Sequence, residues 1–438
     1  MGKGAVRSLK VWLHRRRQPL RYQLLDDLLA TQALTPEQLR RKQQDDLSAI
    51  VAYARADTAY YAERFRDLPA DWRIDDLPVL TKDDVRARLP DLLARGNDPA
   101  TTPIGHTGGS TGQPLAFYYD ETKHELMRAG MMRSYMMSGW RPGQKILNFW
   151  GARQDTVAGG VFKSEAWGDF VAAEKTLPAH EISAAKLDAW AAFIHRYRPA
   201  LLQGYASILA ALARHLRERN IAPPPSLIGV YSTAEVLTEE MRETMETAFG
   251  CKVFNQYGSR EIPNIACECR HGRMHVFTDM VRLEAVNGEL LVTSLTNRLM
   301  PMIRYANGDS GELLDAECGC GSPCACGSPF PLMAMGLCRR NDFIVAPEGR
   351  RIHPSFFNRQ LYGQTGIENY RYVQTAPDRL TLELVGPELD AAATTRIAAA
   401  IRAEMGGNVD FTIKYVPAIE RTASGKHRFV ISHCKDMT

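Results

Sequence analysis

Between residues 144 and 257, short apolar runs alternate with stretches whose apolar residues recur at helical spacing. The runs at 144–150, 200–203, 227–232 and 252–256 read as strands; 184–197, 207–219 and 238–249 read as helices. Few folds accept that pattern. A strand followed by a helix and then another strand packs best as a largely parallel sheet covered by helices, so the region predicts an α/β domain. Ligand sites in such sheets gather at the carboxyl ends of the strands. Those ends carry Asn148-Phe149-Trp150-Gly151, Gln203-Gly204-Tyr205, Ser232-Thr233-Ala234-Glu235 and Gln256-Tyr257-Gly258-Ser259. Small, polar and aromatic residues at these points suit a nucleotide and a planar substrate.

Upstream lies His106-Thr107-Gly108-Gly109-Ser110-Thr111-Gly112-Gln113-Pro114, followed by a strand-like run from Leu115 to Tyr119. Glycine lets successive N–H groups point into one concavity, and Ser and Thr hydroxyls add donors there, which is a way to hold phosphate. The Gly-Lys-Ser/Thr ending of the Walker loop is absent. Residues 35–66 predict helix from a capped, proline-initiated start at Thr35-Pro36, and 77–85 an extended piece leading into a helix capped by Thr81. Residues 121–137 are helical by composition, their methionines serving as core filler. After Val276 the pattern turns to short strands, with Asn287-Gly288 as a hairpin turn. The run 301–309 sets Arg304 and Asp309 at the edges of a turn. From about residue 340 an α+β unit is expected, with strands at 343–345, 370–374, 380–384 and 410–416, helices at 354–362 and 390–405, and a polar, flexible, basic tail at 421–428.

A net charge of +4 over 438 residues is too mild to argue for nucleic acid. Lys3, Arg7, Lys10, Arg15, Arg16, Arg17 and Arg21 do precede the first acid, Asp26. A solvated basic helix face accounts for them more readily than membrane or partner docking. No long apolar run follows, so neither an export signal nor a transmembrane segment is expected. Six of the nine cysteines form Cys-x-Cys pairs. In a large chain with no export signal that clustering points to metal ligation in a reducing compartment, and the protein is expected in the cytoplasm. Cys267-x-Cys269-x5-His275 and Cys318-x-Cys320-x3-Cys324-x-Cys326 suffice for one tetrahedral Zn²⁺, structural because protein ligands leave no open position.

Five stretches in order resemble the adenylate-forming superfamily of acyl-CoA synthetases and adenylation domains: residues 107–114; Ser232-Thr233-Ala234-Glu235; Tyr257-Gly258-Ser259-Arg260-Glu261; Arg304-Tyr305-Ala306-Asn307-Gly308-Asp309; and Arg421-Thr422-Ala423-Ser424-Gly425-Lys426. The compact length, Leu77-Pro78-Val79-Leu80-Thr81-Lys82-Asp83-Asp84 and the Cys/His cluster narrow the likeness to the phenylacetate–CoA ligase branch, over roughly residues 40–430. The resemblance implies a large N-terminal α/β domain, 1–338, containing the zinc segment 267–326, and a small mobile C-terminal α+β lid, 339–438. It implies that Thr107, Gly108, Gly109, Ser110, Thr111 and Gly112 wrap the ATP phosphates. Ser232, Ala234 and Glu235 would border the adenine and acyl pocket, Tyr257 would pack on adenine, and Gly258 and Ser259 would approach the α-phosphate. Glu261 would hold Mg²⁺, Asp309 and Arg339 would reach the ribose, and Lys426 would bridge carboxylate and α-phosphate. Zinc would take Cys269, His275, Cys324 and Cys326, with Cys318 and Cys320 as alternates.

Two departures from the family pattern stand out: Cys338-Arg339-Arg340-Asn341-Asp342 replaces Gly-Arg-x-Asp-Asp at the hinge, and Leu115, not lysine, follows Pro114. Phe149, Trp150, Gly151 and Tyr205 near the expected pocket suit an aryl or arylacetic acid. The function implied is an ATP- and Mg²⁺-dependent acid–CoA ligase acting on a small carboxylic acid. Alternatives are transfer to a carrier-protein phosphopantetheine or an amine, and an inactive zinc-stapled binding module. Oligomeric state is open, a homodimer among the options.

Overall fold

Thr35 shows why the first long helix starts where it does. Its hydroxyl accepts the Gln38 N–H at 3.2 Å, the Gln38 carboxamide accepts the Thr35 N–H at 2.9 Å, and Pro36 occupies the first helical position. In a computed structural model of the chain, the residues described are 3–107, 115–150, 166–179, 182–314, 324–339, 344–352, 356–357, 360–361, 364, 366–367, 369–406, 408–420 and 428–434. The leading helices are α1 (Lys3–Arg17), α2 (Pro19–Thr31), α3 (Pro36–Asp57), α4 (Ala59–Arg64) and α5 (Lys82–Arg88). A two-stranded ribbon, β1 (Ile104–His106) with β2 (Ala116–Tyr118), precedes α6 (Glu121–Met136), whose first turn is capped by Asp120.

The expected alternation is present. Strands β3 (Ile146–Trp150), β4 (Glu174–Pro178), β5 (Leu201–Tyr205), β6 (Gly229–Thr233) and β7 (Val253–Tyr257) form a parallel run in the order β4-β3-β5-β6-β7. Their crossovers use α7 (Ala166–Ala172), α8 (Ala184–Tyr197), α9 (Ala206–Glu218) and α10 (Glu239–Phe249). Period-two alternation divides the strand residues between two faces. Leu147, Phe149, Leu202, Val230 and Val253 join Trp190, Ile194, Leu209, Leu212 and Met245 of the helices in one apolar core. On the opposite face Tyr231 meets Tyr135 of α6 edge-on at 5.1 Å and donates to the Ser134 carbonyl at 2.7 Å.

Beyond β7 the sheet turns antiparallel through β8 (Ala266–Glu268) and β9 (Met274–Val276), and its other end is β10 (Val281–Val286), β11 (Glu289–Ser294), β12 (Tyr305–Leu314) and β13 (Leu332–Arg339), giving eleven strands in all. Asn287 and Gly288 both have positive φ, 51° and 78°, the hairpin turn expected from their sequence. Within 301–309 the chain bends at Arg304, at φ 47°, and from Tyr305 it runs as strand β12, with Gly308 at φ 80° inside the strand, so Asp309 lies on the strand and not at the edge of a turn.

The chain divides into two compact units, the main segments being Met1–Asn307 with Glu312–Ala334, and Met335–Thr422. Within the second, β16 (Asn369–Ala376) and β17 (Arg379–Val385) form a hairpin, following the small pair β14 (Ile344–Val345) and β15 (Arg351–Ile352). β18 (Asp410–Tyr415) lies parallel to β17, and β19 (Val430–Ser432) parallel to β16. Helix α11 (Ala391–Met405) buries Ile397, Ile401 and Met405 against Tyr372, Leu380, Leu382 and Leu384. The helix expected at 354–362 falls largely outside the described residues. No helix among those described is long and apolar enough to cross a membrane.

Candidate active site and metal cluster

The glycine-rich stretch hangs from a closed neck. Thr107 donates its N–H to the Leu115 carbonyl, and Leu115 returns its N–H to the Thr107 hydroxyl oxygen, both at 2.9 Å. Thr107 therefore clasps the base of the loop, a part the sequence reading did not give it. Gly108, Gly109, Ser110, Thr111 and Gly112 lie outside the described residues. The Arg260 guanidinium donates to the His106 carbonyl at 2.9 Å, joining the neck to the Tyr257–Glu261 motif.

That motif is a tight turn following β7. Ser259 donates its N–H to the Ile262 carbonyl at 2.9 Å, and its hydroxyl accepts the Ile262 N–H at 3.0 Å. Gly258 is required by space: a Cβ there would sit 2.8 Å from the backbone nitrogen of Asn264. The Tyr257 phenol oxygen accepts from the Asn307 carboxamide at 2.7 Å, which fixes the ring. Glu261 is buried and accepts from the Tyr305 hydroxyl at 3.0 Å. A cavity of about 250 Å³ adjoins it, lined also by Lys123, Asn297 and Thr296. Among the described residues neither Lys123 Nζ nor Asn297 Nδ2 has a hydrogen-bond partner. Burial brings the Lys123 ammonium down to about 8, with Glu261 pulling the other way. Lys123 Nζ lies 4.3 Å above the Phe117 ring. A carboxylate beside two nitrogen donors without hydrogen-bond acceptors is a donor set that fits a metal-bound polyphosphate.

The other strand ends are mixed. Ser232 is buried with an unpartnered hydroxyl, and Ala234 follows at φ 67°, a left-handed conformation unusual for alanine. Glu235, read as bordering the nucleotide, accepts the Ser207 N–H at 2.9 Å and its hydroxyl at 2.6 Å, so its carboxylate satisfies the first turn of α9. Phe149, read as pocket lining, is fully buried and edge-on to Trp190 at 5.1 Å. It is a core residue because alternation turns it toward α8 and α9. Tyr205 is buried in the same core, while Trp150, half-buried, stands edge-on to Tyr205 at 5.2 Å. Gly151 and Lys426 lie outside the described residues. Asp309 is half-buried on β12, and Arg339 ends β13.

Two residues of the 304–309 motif have partners that the sequence did not indicate. Arg304 pairs with Glu284 at 3.0 Å and donates to the Leu77 carbonyl at 2.6 Å, fastening the extended segment before α5. Its neighbour Tyr305 orients Glu261. Only the three-dimensional pairing of distant segments reveals these partners.

The cysteine reading resolves clearly in space. Ligand atoms of Cys269, His275, Cys324 and Cys326 all lie within 4.8 Å of one another. Cys269 Sγ is 3.6 Å from Cys324 Sγ, and Cys326 Sγ is 3.3 Å from His275 Nε2. Tetrahedral zinc with ~2.3 Å Zn–S bonds separates its sulfurs by about 3.8 Å, so the cluster is of the right size. His275 Nδ1 donates to the Phe330 carbonyl at 2.9 Å, leaving Nε2 facing the thiols. Burial pushes the Cys326 thiol up to about 12, so metal uptake would release its proton. Cys267, on β8, is buried outside the cluster. The alternates Cys318 and Cys320 fall outside the described residues.

The fold is that of the adenylate-forming ligases. The solved 2-hydroxyisobutyryl-CoA ligase, in its postadenylation state with a bound acyl-AMP, superposes with a TM-score of 0.71 at 19% identity, over 92% of this chain and 91% of that one. The CapK C-terminal domain family matches residues 344–433. Protein CapK of Staphylococcus aureus is 25% identical over 374 residues, 83% of this chain and 81% of that protein. The phenylacetate-coenzyme A ligase of Thermus thermophilus is 27% identical over 349 residues, 74% of this chain and 75% of its own length. The resemblance to the adenylate-forming superfamily, in its phenylacetate–CoA ligase-like branch, is thus borne out.

Proposed function

We propose that this chain activates a carboxylic acid with ATP and transfers it to coenzyme A. In the first step a carboxylate oxygen attacks the α-phosphorus and pyrophosphate leaves. In the second the thiol sulfur, losing its proton, attacks the acyl carbon and AMP leaves. The observation that carries this reading is the Arg260–His106 hydrogen bond, which brings the turn bearing Tyr257 and Glu261 to the neck of the glycine-rich loop. A carboxylate attacking a phosphate sets two anions together, so charge must be neutralised as it builds. Glu261 would hold Mg²⁺ beside the leaving pyrophosphate, and the turn at Gly258 and Ser259 would face the α-phosphate. Asp309 and Arg339 would bind the ribose. The terminal domain, 339–438, would act as the lid that delivers Lys426. Zinc at Cys269, His275, Cys324 and Cys326 would be structural, tying the β8–β9 hairpin to residues 324–330. An aryl or arylacetic acid is the preferred substrate, Trp150 offering a flat apolar wall. We place the enzyme in the cytoplasm, where ATP, CoA and reduced thiols are found together.

The test is ATP–pyrophosphate exchange across a panel of carboxylic acids, followed by thioester formation with CoA. Exchange with an aryl acid and a CoA thioester are expected. Exchange without a CoA product would move the acceptor to a carrier-protein thiol or an amine, and no exchange with any acid would end the ligase reading. Lys426→Ala is expected to slow acyl-adenylate formation by about 100-fold or more; an unchanged rate would remove Lys426 from the machinery.

A further inference from the structure

Helix α1 carries six basic residues and no acid. Its apolar residues do not all face the protein. Val6, Leu9 and Trp12 are 39%, 47% and 49% exposed, and Phe170 of the neighbouring α7 is 50% exposed. These four are half of the eight strongly exposed large apolar side chains among the described residues. The two helices pack together, Lys10 Nζ lying 4.0 Å above the Phe170 ring. Spacing of three residues places Val6, Leu9 and Trp12 in one outward stripe. Arg16 stacks on Trp12 at 4.2 Å and Arg17 follows it, exposed, while Arg15 pairs with Asp26 of α2 at 3.1 Å.

An exposed stripe of this kind in an otherwise well-buried protein marks an interaction surface. Its charge selects the partner. A second copy of the chain meeting this face would set two acid-free basic helices against each other, which like-charge repulsion opposes. Nucleic acid would use the cations but gain little from valine, leucine and tryptophan standing between them. An anionic bilayer uses both: phosphate headgroups meet the arginines while the apolar stripe enters the acyl boundary. We propose that α1, with Phe170, is an interfacial anchor that holds the protein to the surface of membranes rich in acidic phospholipid.

Co-sedimentation of the full chain with vesicles tests this. The protein should pellet with phosphatidylcholine–phosphatidylglycerol vesicles, remain in solution with phosphatidylcholine alone, and detach in high salt. Leu9→Glu and Trp12→Glu should each weaken binding by about tenfold or more, and Arg16→Ser and Arg17→Ser by about fivefold each. Trp12→Ala, with a thermal melt matching the parent, guards against loss of binding through misfolding. A blue shift of tryptophan emission on adding anionic vesicles should shrink in Trp12→Phe while binding persists. Equal binding to neutral and anionic vesicles, or undiminished binding by the glutamate variants, would overturn the proposal. So would a dimer in sedimentation velocity that Trp12→Glu dissolves, since the face would then belong to a second copy.

Discussion

Arg133 is almost wholly buried on α6, donating through both terminal guanidinium nitrogens to the Asp279 carboxylate, Nη2 to Oδ1 at 3.1 Å, and stacked 4.2 Å from the Phe277 ring. A charge in that position is tolerable only while its partner stands. Removing one member leaves an uncompensated ion in a medium that solvates it poorly. Asp279→Ala should therefore cost about 3–5 kcal/mol, read as a lower urea midpoint at unchanged slope. Nothing in the local sequence announces the pair, since 146 positions separate the two residues. The Cys/His cluster contrasts with it: tight Cys-x-Cys and Cys-x5-His spacing reports the grouping because these residues lie on one hairpin and one turn. Glu235 and Phe149 mark the opposite limit. Their positions at strand ends were legible, but which way each side chain turned was set by α9 and α8: Glu235 accepts from Ser207 in the first turn of α9, and Phe149 packs in the core against Trp190.

Among elements, four strands of the parallel sheet, β3, β5, β6 and β7, and the helices α8, α9 and α10 were legible to within two or three residues, because continuous apolar runs and capped amphipathic periods survive any packing; α7 was not foreseen. Neither was β4. Its sequence, Glu-Lys-Thr-Leu-Pro, has little apolar content and ends in proline, as an edge strand can, and only pairing with β3 makes it a strand. β19 was likewise unforeseen and owes its extension to β16. The seam of α1, α2 and α6 holds a titratable element. Burial, with the nearby Arg21 and Arg128 cations, brings His14 down to about 4. A base whose folded pKa is depressed binds its proton more readily when unfolded, so stability falls as pH drops from 6.5 toward 4. His14→Gln should flatten that limb of the pH–stability curve by about 1–2 kcal/mol, measured by urea unfolding at pH 7 and near pH 4.

For the molecule as a whole, each compact unit has its own apolar core, one around Leu202 and Val230, the other around Leu382 and Ile397. Calorimetry should therefore resolve two unfolding transitions. The Cys/His cluster lies within the larger unit, so stripping metal should lower only that unit's transition, by about 5 °C or more, and leave the other in place. Cys324→Ser should reproduce the shift without chelator. One detail of the cluster reaches further. Cys269 and Cys326 also border a surface cleft of about 350 Å³ alongside Arg141 and Arg270. A metal held there would have a doorway to solvent in the intact fold, so mercurials, cadmium and peroxide should reach these sulfurs in a protein that has not unfolded.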